Sequence, residues 1–301
     1  MPKKIKCLSS VKNNPRGWEK IAVIDELRHK YKLDDLLKLA SVARSTFYYR
    51  LKELACLDKY AELKKIIKEI FEANKSRYGY RRITAELNKK GIFRNHKLVS
   101  KLMKECGLIC KTKSGKYHSY KGEIGKIADN VIKRDFSSNE PLKKLVTDVT
   151  EFKVNDDKVY LSPVLDLFNG EIIAYDVALH ANFAQTMRMI DKAFRIIPDN
   201  SGAILHSDQG WQYQMKQYQK RLKEKGIIQS MSRKGNCLDN SVMENFFGIL
   251  KKEMFYGHKF NSAMQLINEI NDYIYYYNNH RIKMKLKGLS PVEYRTQACL
   301  T

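Results

Sequence analysis

From residue 142 onward the chain predicts an α/β fold, a mixed five-stranded sheet flanked by helices. An all-α, helix-turn-helix-like N-terminal region is expected ahead of it. Three observations carry this reading. Runs rich in Val, Thr, Ile and Phe begin at Leu145 and alternate with helical segments. Asn169-Gly170 joins two of those runs. Three short helices lie between residues 59 and 110. β-branched and aromatic residues suit a pleated, half-buried surface, and alternating strands and helices belong to one layered unit.

Taken in order, Trp18 to Lys30 puts Ile21, Ile24, Leu27 and Arg28 at helical spacing. Asp34 is placed to cap a short helix ending near Ala40, and Ser45 to cap another through Leu51. Two short helices about a tight turn suit a small DNA-binding unit; simple helical packing accounts for them equally. Leu63, Ile66, Ile67 and Ile70 mark an amphipathic helix broken by Gly79, and Ile83 and Leu87 a second ended by Gly91. Asn95 caps a third, with Leu98, Val99, Leu102 and Met103 inward and Gly107 closing it. These three resemble a helix-turn-helix whose third helix lies in a major groove. Its expected exposed cations are Arg77, Arg81, Arg82, Arg94, Lys97, Lys101 and Lys104; a solvated basic face is the plainer alternative. Residues 111–141 read as a basic linker in which Tyr117, His118 and Tyr120 either stack on bases or serve as ordinary linker residues.

LVTDVTEFKV, VYLSPVLDLF and EIIAYDVAL then predict three antiparallel strands. The last two are joined by Asn169-Gly170, both of which tolerate positive φ. Residues 184–196 follow as a helix, AILHSD as a fourth strand, 214–225 as a helix, GIIQSMS as a fifth strand and Ser241–Met254 as a helix. This order and these lengths are those of a ribonuclease-H-like fold.

Of 56 Lys and Arg, 34 lie before residue 141, against 16 of the 33 Asp and Glu. The formal net charge of +23 favours a polyanionic partner; charge alone also fits a ribosomal or membrane-surface protein, and its concentration in the first half makes that half the grip. No apolar run is long enough for a membrane span, and the basic N-terminus lacks the apolar run of a secretory signal. The six cysteines form no C-x-x-C pair, which predicts free thiols in a reducing cytoplasm and no zinc site.

Three acids stand out: Asp148 in LVTDVTEF, Asp208 in ILHSDQGWQY and Glu244 in DNSVMENFFGILKKE. Asp148 is expected in the middle of the first strand, Asp208 at the end of the fourth, and Glu244 early in a helix preceded by an Asp239-Asn240 cap. Adjacent first and fourth strands would bring both aspartates to one sheet edge. Carboxylates so placed repel and take up protons unless a cation lies between them. Magnesium suits such hard oxygens, and two ions about 4 Å apart activate a water or 3′-hydroxyl and stabilise the leaving oxygen. Lys251, two helical turns after Glu244, shares its face and can hold a phosphate. Asp166 and His206 are expected near the site, either assisting it or serving the structure, whereas Asp156 and Asp157 fall in a turn.

SVARSTFYYRL, RYGYRRITAELNKKG, TDVTEF, HSDQGWQY, SRKGNCLDNSVMENFFGILKKE and YYNNHRIKMKLKGLSPVEYR together resemble the OrfB-type transposases of bacterial insertion sequences, relatives of the retroviral integrases. The resemblance covers nearly the whole chain. It implies a DDE catalytic core that cuts and joins DNA, with metal-binding acids at Asp148, Asp208 and Glu244 and a basic residue at Lys251. Leu145 stands where the family often has Trp, and Ser241 and Asn245 where Ala and Ser are common; none of these removes a ligand.

The expected domains are an N-terminal helical region over 1–58, a helix-turn-helix-like DNA-binding domain over 59–110, a basic linker over 111–141 and a ribonuclease-H-like catalytic domain over 142–301. Two magnesium ions are expected, with manganese substituting. DNA contacts are assigned to Arg81, Arg82, Arg94, Lys97, Lys101 and Lys251. Expected partners are insertion-sequence ends and target duplex, further copies of the chain, and an upstream-frame OrfA product as fusion or partner. The chain is expected to lack the main end-recognition domain, and its place is the bacterial cytoplasm, at the nucleoid. The alternatives are a regulatory DNA-binding subunit without catalysis of its own, and a structure-selective nuclease of the same fold.

Overall fold

Pro163 decides how the sheet is divided. In this computed structural model, which describes residues 17–55, 59–110, 128–233 and 237–298, LVTDVTEFKV forms two strands, β1 (Lys144–Thr147) and β2 (Thr150–Val154). Both pair antiparallel with the long β3 (Asp157–Asp166) in one continuous register. That register sets Asp148 opposite Pro163. Proline has no N–H to donate to the ladder, and the Pro163 carbonyl accepts the Thr147 hydroxyl at 2.8 Å. The ladder therefore lapses at Asp148 and Val149. Asp148 lies in this gap rather than within a strand, and the five strands expected become six by count.

The rest of the sheet is β4 (Ile172–Ala178), β5 (Ile204–Ser207) and β6 (Ile228–Met231). The order is β2-β3-β1-β5-β6, with β4 on the other side of β3; β1–β5 and β5–β6 are parallel, the remainder antiparallel. The β3–β4 turn forms at Asn169-Gly170, where Gly170 alone takes a positive φ, 70°. Asn169 contributes its side chain instead, accepting from Glu171 N and donating to the Pro291 carbonyl.

Alternation along β1 separates two apolar layers. Leu145 and Leu205 face α7 (Phe183–Phe194) and α8 (Lys216–Lys225), packing with Met189, Ile190, Tyr218 and Leu222. Val146 faces α9 (Ser241–Leu250) and α10 (Ala263–Asn279), packing with Met243, Phe246, Phe247, Leu250 and Ile270. A single turn of π-helix, Lys251–Phe255, follows α9 directly.

The chain forms two compact units, residues 1–69 and 70–301. The first contains helices Gly17–Leu27, Leu33–Ala40 and Arg44–Ala55. Asp34 and Ser45 sit inside first turns rather than capping: the residue before Leu33 is Lys32, which makes no side-chain cap. The division falls within α4 (Ala61–Ala73). In the second unit, α5 (Tyr80–Lys89) starts after Gly79, and α6 (His96–Glu105) is capped by Asn95, which accepts from Lys97 N at 2.8 Å, with Gly107 at positive φ beyond its end.

Residues 128–135, expected within the linker, belong to this second unit. Met231 N donates to the Asp129 carbonyl, Val131 N to Ser230 Oγ, and Ile132 is buried. Tyr117, His118 and Tyr120 lie outside the described residues. Cys106 and Cys110 are free thiols. Among the described residues no helix is long and apolar enough to cross a membrane.

Candidate active site

β1 and β5 run parallel with Leu145 beside Leu205 and Val146 beside His206. Two steps further, the same register brings Asp148 level with Asp208, at the ends of strands about 4.8 Å apart. Asp148 is in phase with Val146, so its side chain leaves the sheet on the face covered by α9, the helix that carries Glu244 in its first turn. Packing of Met243, Phe246, Phe247 and Leu250 holds that helix against the sheet.

Burial, then the charges of Asp208 and Glu244, hold the Asp148 carboxyl well above the usual carboxylate range, against the opposing pull of the Val149 N–H and the Lys251 ammonium. Burial likewise raises Asp208, whose Oδ1 accepts from Gly210 N at 2.9 Å, and raises Glu244. Asp148 accepts from Val149 N at 2.7 Å and from the Asn240 side-chain amide at 3.0 Å. Lys251 lies over the Phe152 ring at 5.2 Å; burial lowers its pKa while Glu151 and Asp148 raise it. The other three residues read from sequence as one site, Asp208, Glu244 and Lys251, are thus within electrostatic reach of Asp148.

The donor set is oxygen-rich and suits a hard divalent cation. Asn240 Oδ1, buried beside Asp148, has no hydrogen-bond partner, so a further oxygen is available there. The aspartates are in place, but among the described residues no three acids are already gathered closely enough to share an ion. Glu244 is half-buried in the first turn of α9.

Other expectations resolve differently. Asn240 occupies the N-cap position of α9 but makes no side-chain cap. Asp239 takes Arg134, Arg233 and Asn130, and its carboxyl is held well below the usual range first by the Arg233 hydrogen bond. His206 is fully buried: Nδ1 meets Ser230 Oγ at 2.8 Å, and Nε2 meets Ser232 Oγ at 3.1 Å and the Asp239 carbonyl at 2.9 Å. Both nitrogens are committed, Nδ1 to β6 and Nε2 to the segment that leads from β6 to α9, so it positions no nucleophile. Asp166 is buried and accepts from Leu142 N and Phe168 N, fastening the chain just before β1 to the β3–β4 turn.

Of the expected DNA contacts, Arg81, Arg94, Lys97 and Lys101 are exposed. Arg82 is drawn inward instead. It reaches Glu253 at 3.4 Å, in a buried network where Arg281 donates to both Glu253 oxygens at 2.7 and 2.9 Å and Tyr273 donates at 3.0 Å. Arg77 is buried too, donating to the Glu253 carbonyl and stacked on Tyr273 and Tyr276. The Glu253 carboxylate draws Arg82 inward across 171 positions, while the Glu253 carbonyl and, at 3.7 Å, the Glu269 carboxylate hold Arg77. Asn240 and Glu253 were missed by sequence reasoning; the only signal was their place beside Glu244 and Lys251.

The chain matches family models described as an integrase core domain over residues 138–237 and again over 244–299, and as an HTH-like domain over 59–116. It is 52% identical over 275 residues to InsK, the protein assigned as transposase of insertion sequence element IS150 in Escherichia coli (strain K12), covering 91% of this chain and 97% of that one. It is 34% identical over 238 residues to the transposase for insertion sequence element IS904 of Lactococcus lactis, covering 76% and 91%. Among solved structures, the HTLV-2 integrase catalytic core domain in complex with magnesium aligns at 18% identity and TM-score 0.42, over 53% of this chain and 99% of that one. With a parallel β1–β5 pair that ends at the two aspartates in a ribonuclease-H-like sheet, and with relatives matched along nearly their whole length, the chain belongs to the bacterial insertion-sequence transposases, a family of polynucleotidyl transferases with a retroviral-integrase-like core.

Proposed function

We propose that Asp148, Asp208 and Glu244 form the metal-holding centre at which this chain cleaves insertion-sequence ends and joins them to target DNA. The observation that carries the reading is the level placement of Asp148 and Asp208 on neighbouring parallel strands, with both carboxyls raised above their ordinary range. Divalent ions held there, two magnesium ions or manganese in their place, would neutralise the acids and supply an activated oxygen nucleophile.

The chain's own residues do the rest. Asn240 fixes the rotation of the Asp148 carboxylate. Lys251, held in place by Phe152, faces the acids with a cation able to take a phosphate oxygen. Water or a terminal 3′-hydroxyl attacks the phosphodiester, the bond to the leaving oxygen breaks, and the attacking oxygen gives up its proton. Arg81, Arg94, Lys97 and Lys101 offer exposed charge to duplex DNA from the segment 59–110, which we take as a DNA-binding domain ahead of the catalytic one at 142–301. The partners proposed are double-stranded DNA, further copies of the chain, and an OrfA product acting as fusion or partner at the nucleoid.

The test is cleavage and joining of a labelled insertion-sequence end by the parent chain and by Asp208→Asn, each alone and fused to OrfA. Loss of both steps in Asp208→Asn, with duplex binding intact, is the expected result. Undiminished activity in Asp208→Asn overturns the assignment. A parent chain that binds ends and never cuts them, alone or fused, points to the regulatory alternative.

A further inference from the structure

The first 55 residues contain a surface that the site at Asp148 does not use. Helices Gly17–Leu27, Leu33–Ala40 and Arg44–Ala55 (α1, α2 and α3) close on one small core of Ile21, Ile24, Leu27, Leu36, Leu37, Ala40 and Phe47, with Leu33, Val42 and Leu51 packed around it. Between α2 and α3 lie three residues, Ser41, Val42 and Ala43. Ser41 adopts a left-handed φ of 55° and returns its N–H to the Lys38 carbonyl, while Val42 N bonds the Leu37 carbonyl and Val42 turns inward. Arg44 then pairs with Asp34 across the turn at 2.9 Å. A helix, a tight three-residue turn and a second helix braced by a third is the arrangement that presents its second helix to a DNA groove.

α3 is nearly all surface. Within its first nine residues only Phe47 is buried and Leu51 half-buried; Arg44, Ser45, Thr46, Tyr48, Tyr49, Arg50 and Lys52 are exposed. At 100° per residue, Ser45, Thr46, Tyr49 and Lys52 cluster on the side opposite Phe47 and Leu51. That side holds hydroxyls, a phenol 65% exposed and a cation; residues 44–52 include no carboxylate and no exposed aliphatic side chain. A helix bound for a protein groove would show apolar anchors at i, i+3 and i+4. This one shows hydrogen-bonding groups under positive charge, the complement of base edges between phosphates. Twelve residues make a rod about 18 Å long, enough to lie in a major groove. α2 does not suit that place, because it carries Asp34 and Asp35 at its exposed start.

We infer that residues 17–55 are a second helix-turn-helix, distinct from the segment 59–110, and that it reads double-stranded DNA in the major groove through Ser45, Thr46, Tyr49 and Lys52 of α3. Tyr49 and the two hydroxyls read base edges; Lys52 meets a phosphate.

The test uses the full chain and a pool of duplexes with a randomised central segment. Bound duplexes are selected by the parent, by Tyr49→Phe, by Ser45→Ala/Tyr49→Ala and by Lys52→Ala, each shown folded by circular dichroism. The parent should enrich a sequence of which one part is lost with Ser45→Ala/Tyr49→Ala, with affinity for the parent's selected duplex falling about tenfold or more. Tyr49→Phe, which keeps the ring and the fold, should lose the same part more weakly. Lys52→Ala should leave the sequence unchanged and lower the logarithmic salt slope by about one. Identical enriched sequences and affinities for the parent and for both Tyr49 variants overturn the inference. So does a change in sedimentation without a change in DNA binding, which would make α3 a protein contact. Asp208→Asn, run in parallel, should bind and select as the parent does, so that failure at α3 and failure of the catalytic assignment are read separately.

Discussion

Asn240 donates to the Asp148 carboxylate at 3.0 Å across 92 positions of sequence, and its own Oδ1 is left buried without a partner. One amide thus ties the residue just before α9 to the gap between β1 and β2, and leaves an oxygen beside the acids. A hydrogen bond to a charged group contributes about 1.5–3 kcal/mol, with tenfold for each 1.4. Asn240→Ala is therefore expected to slow single-turnover cleavage by about 10–100-fold with little change in duplex affinity. Asn240→Asp, which adds a fourth negative charge, should be slower still, and raised magnesium should partly restore it.

The raised carboxyls at Asp148 and Asp208 set a pH dependence. An acid whose native pKa lies above its unfolded value favours the native state while protonated. That contribution is whole below about pH 3.9 and is lost as pH rises through the native value. Ionising the metal-free pair is therefore costly in the folded chain. Asp208→Asn should melt about 2–4 °C higher than the parent in chelator at pH 7, for roughly 1 kcal/mol in a unit of this size. The gain should shrink toward pH 4. Magnesium should raise the melting temperature of the parent and leave that of Asp208→Asn nearly unmoved, which scanning calorimetry reads without any assay of activity.

Lys251 sits with its ammonium over Phe152, and burial holds its pKa down. Lys251→Ala should cut the cleavage rate by about tenfold or more, as expected for losing one charge-assisted contact to a phosphate. Lys251→Arg should keep part of the rate. A rate unchanged in Lys251→Ala would leave the lysine as a structural neighbour of Phe152.

Glu253 is buried and meets Arg281 at both oxygens. Burial works to raise its pKa, but the Arg281 hydrogen bonds and charge, with Arg82 and Tyr273, outweigh it and hold the carboxylate ionised. Glu253→Ala leaves Arg281 buried without its counter-ion, a loss expected at about 3–5 kcal/mol and measurable by urea unfolding of the unit 70–301. Arg82→Ala should cost under about 1 kcal/mol, because that contact is longer and part-exposed.

How much of this was legible follows from what each residue depends on. Asp208 at the end of β5 could be read from the chain, because periodicity and length are local; the adjacency of β1 and β5 followed only from the expected ribonuclease-H-like fold. The gap that frees Asp148 was also written in the chain, as Pro163 inside an apolar strand, but its effect needed the register to show which residue lay opposite. His206 shares a face with the acid two positions on, yet its partners Ser230 and Ser232 arrive from β6 and the residue just past it. Arg77 and Arg82 looked like surface cations because the groups that hold them, on Glu253 and Glu269, lie far away in sequence.

Amino-acid order alone determined the ribonuclease-H-like succession of strands and helices, the three acidic motifs, the basic first half and the helical caps at Asn95 and Gly107. These depend on side-chain period, backbone preference and net charge, which act over a few residues or over the whole chain. Tertiary structure decided that Asp148 and Asp208 stand level, that Asn240 rather than a cap-forming side chain meets the first acid, and that Glu253 gathers arginines from two distant segments. Those outcomes depend on burial and on which charges meet at short range, and only the folded chain brings such partners together.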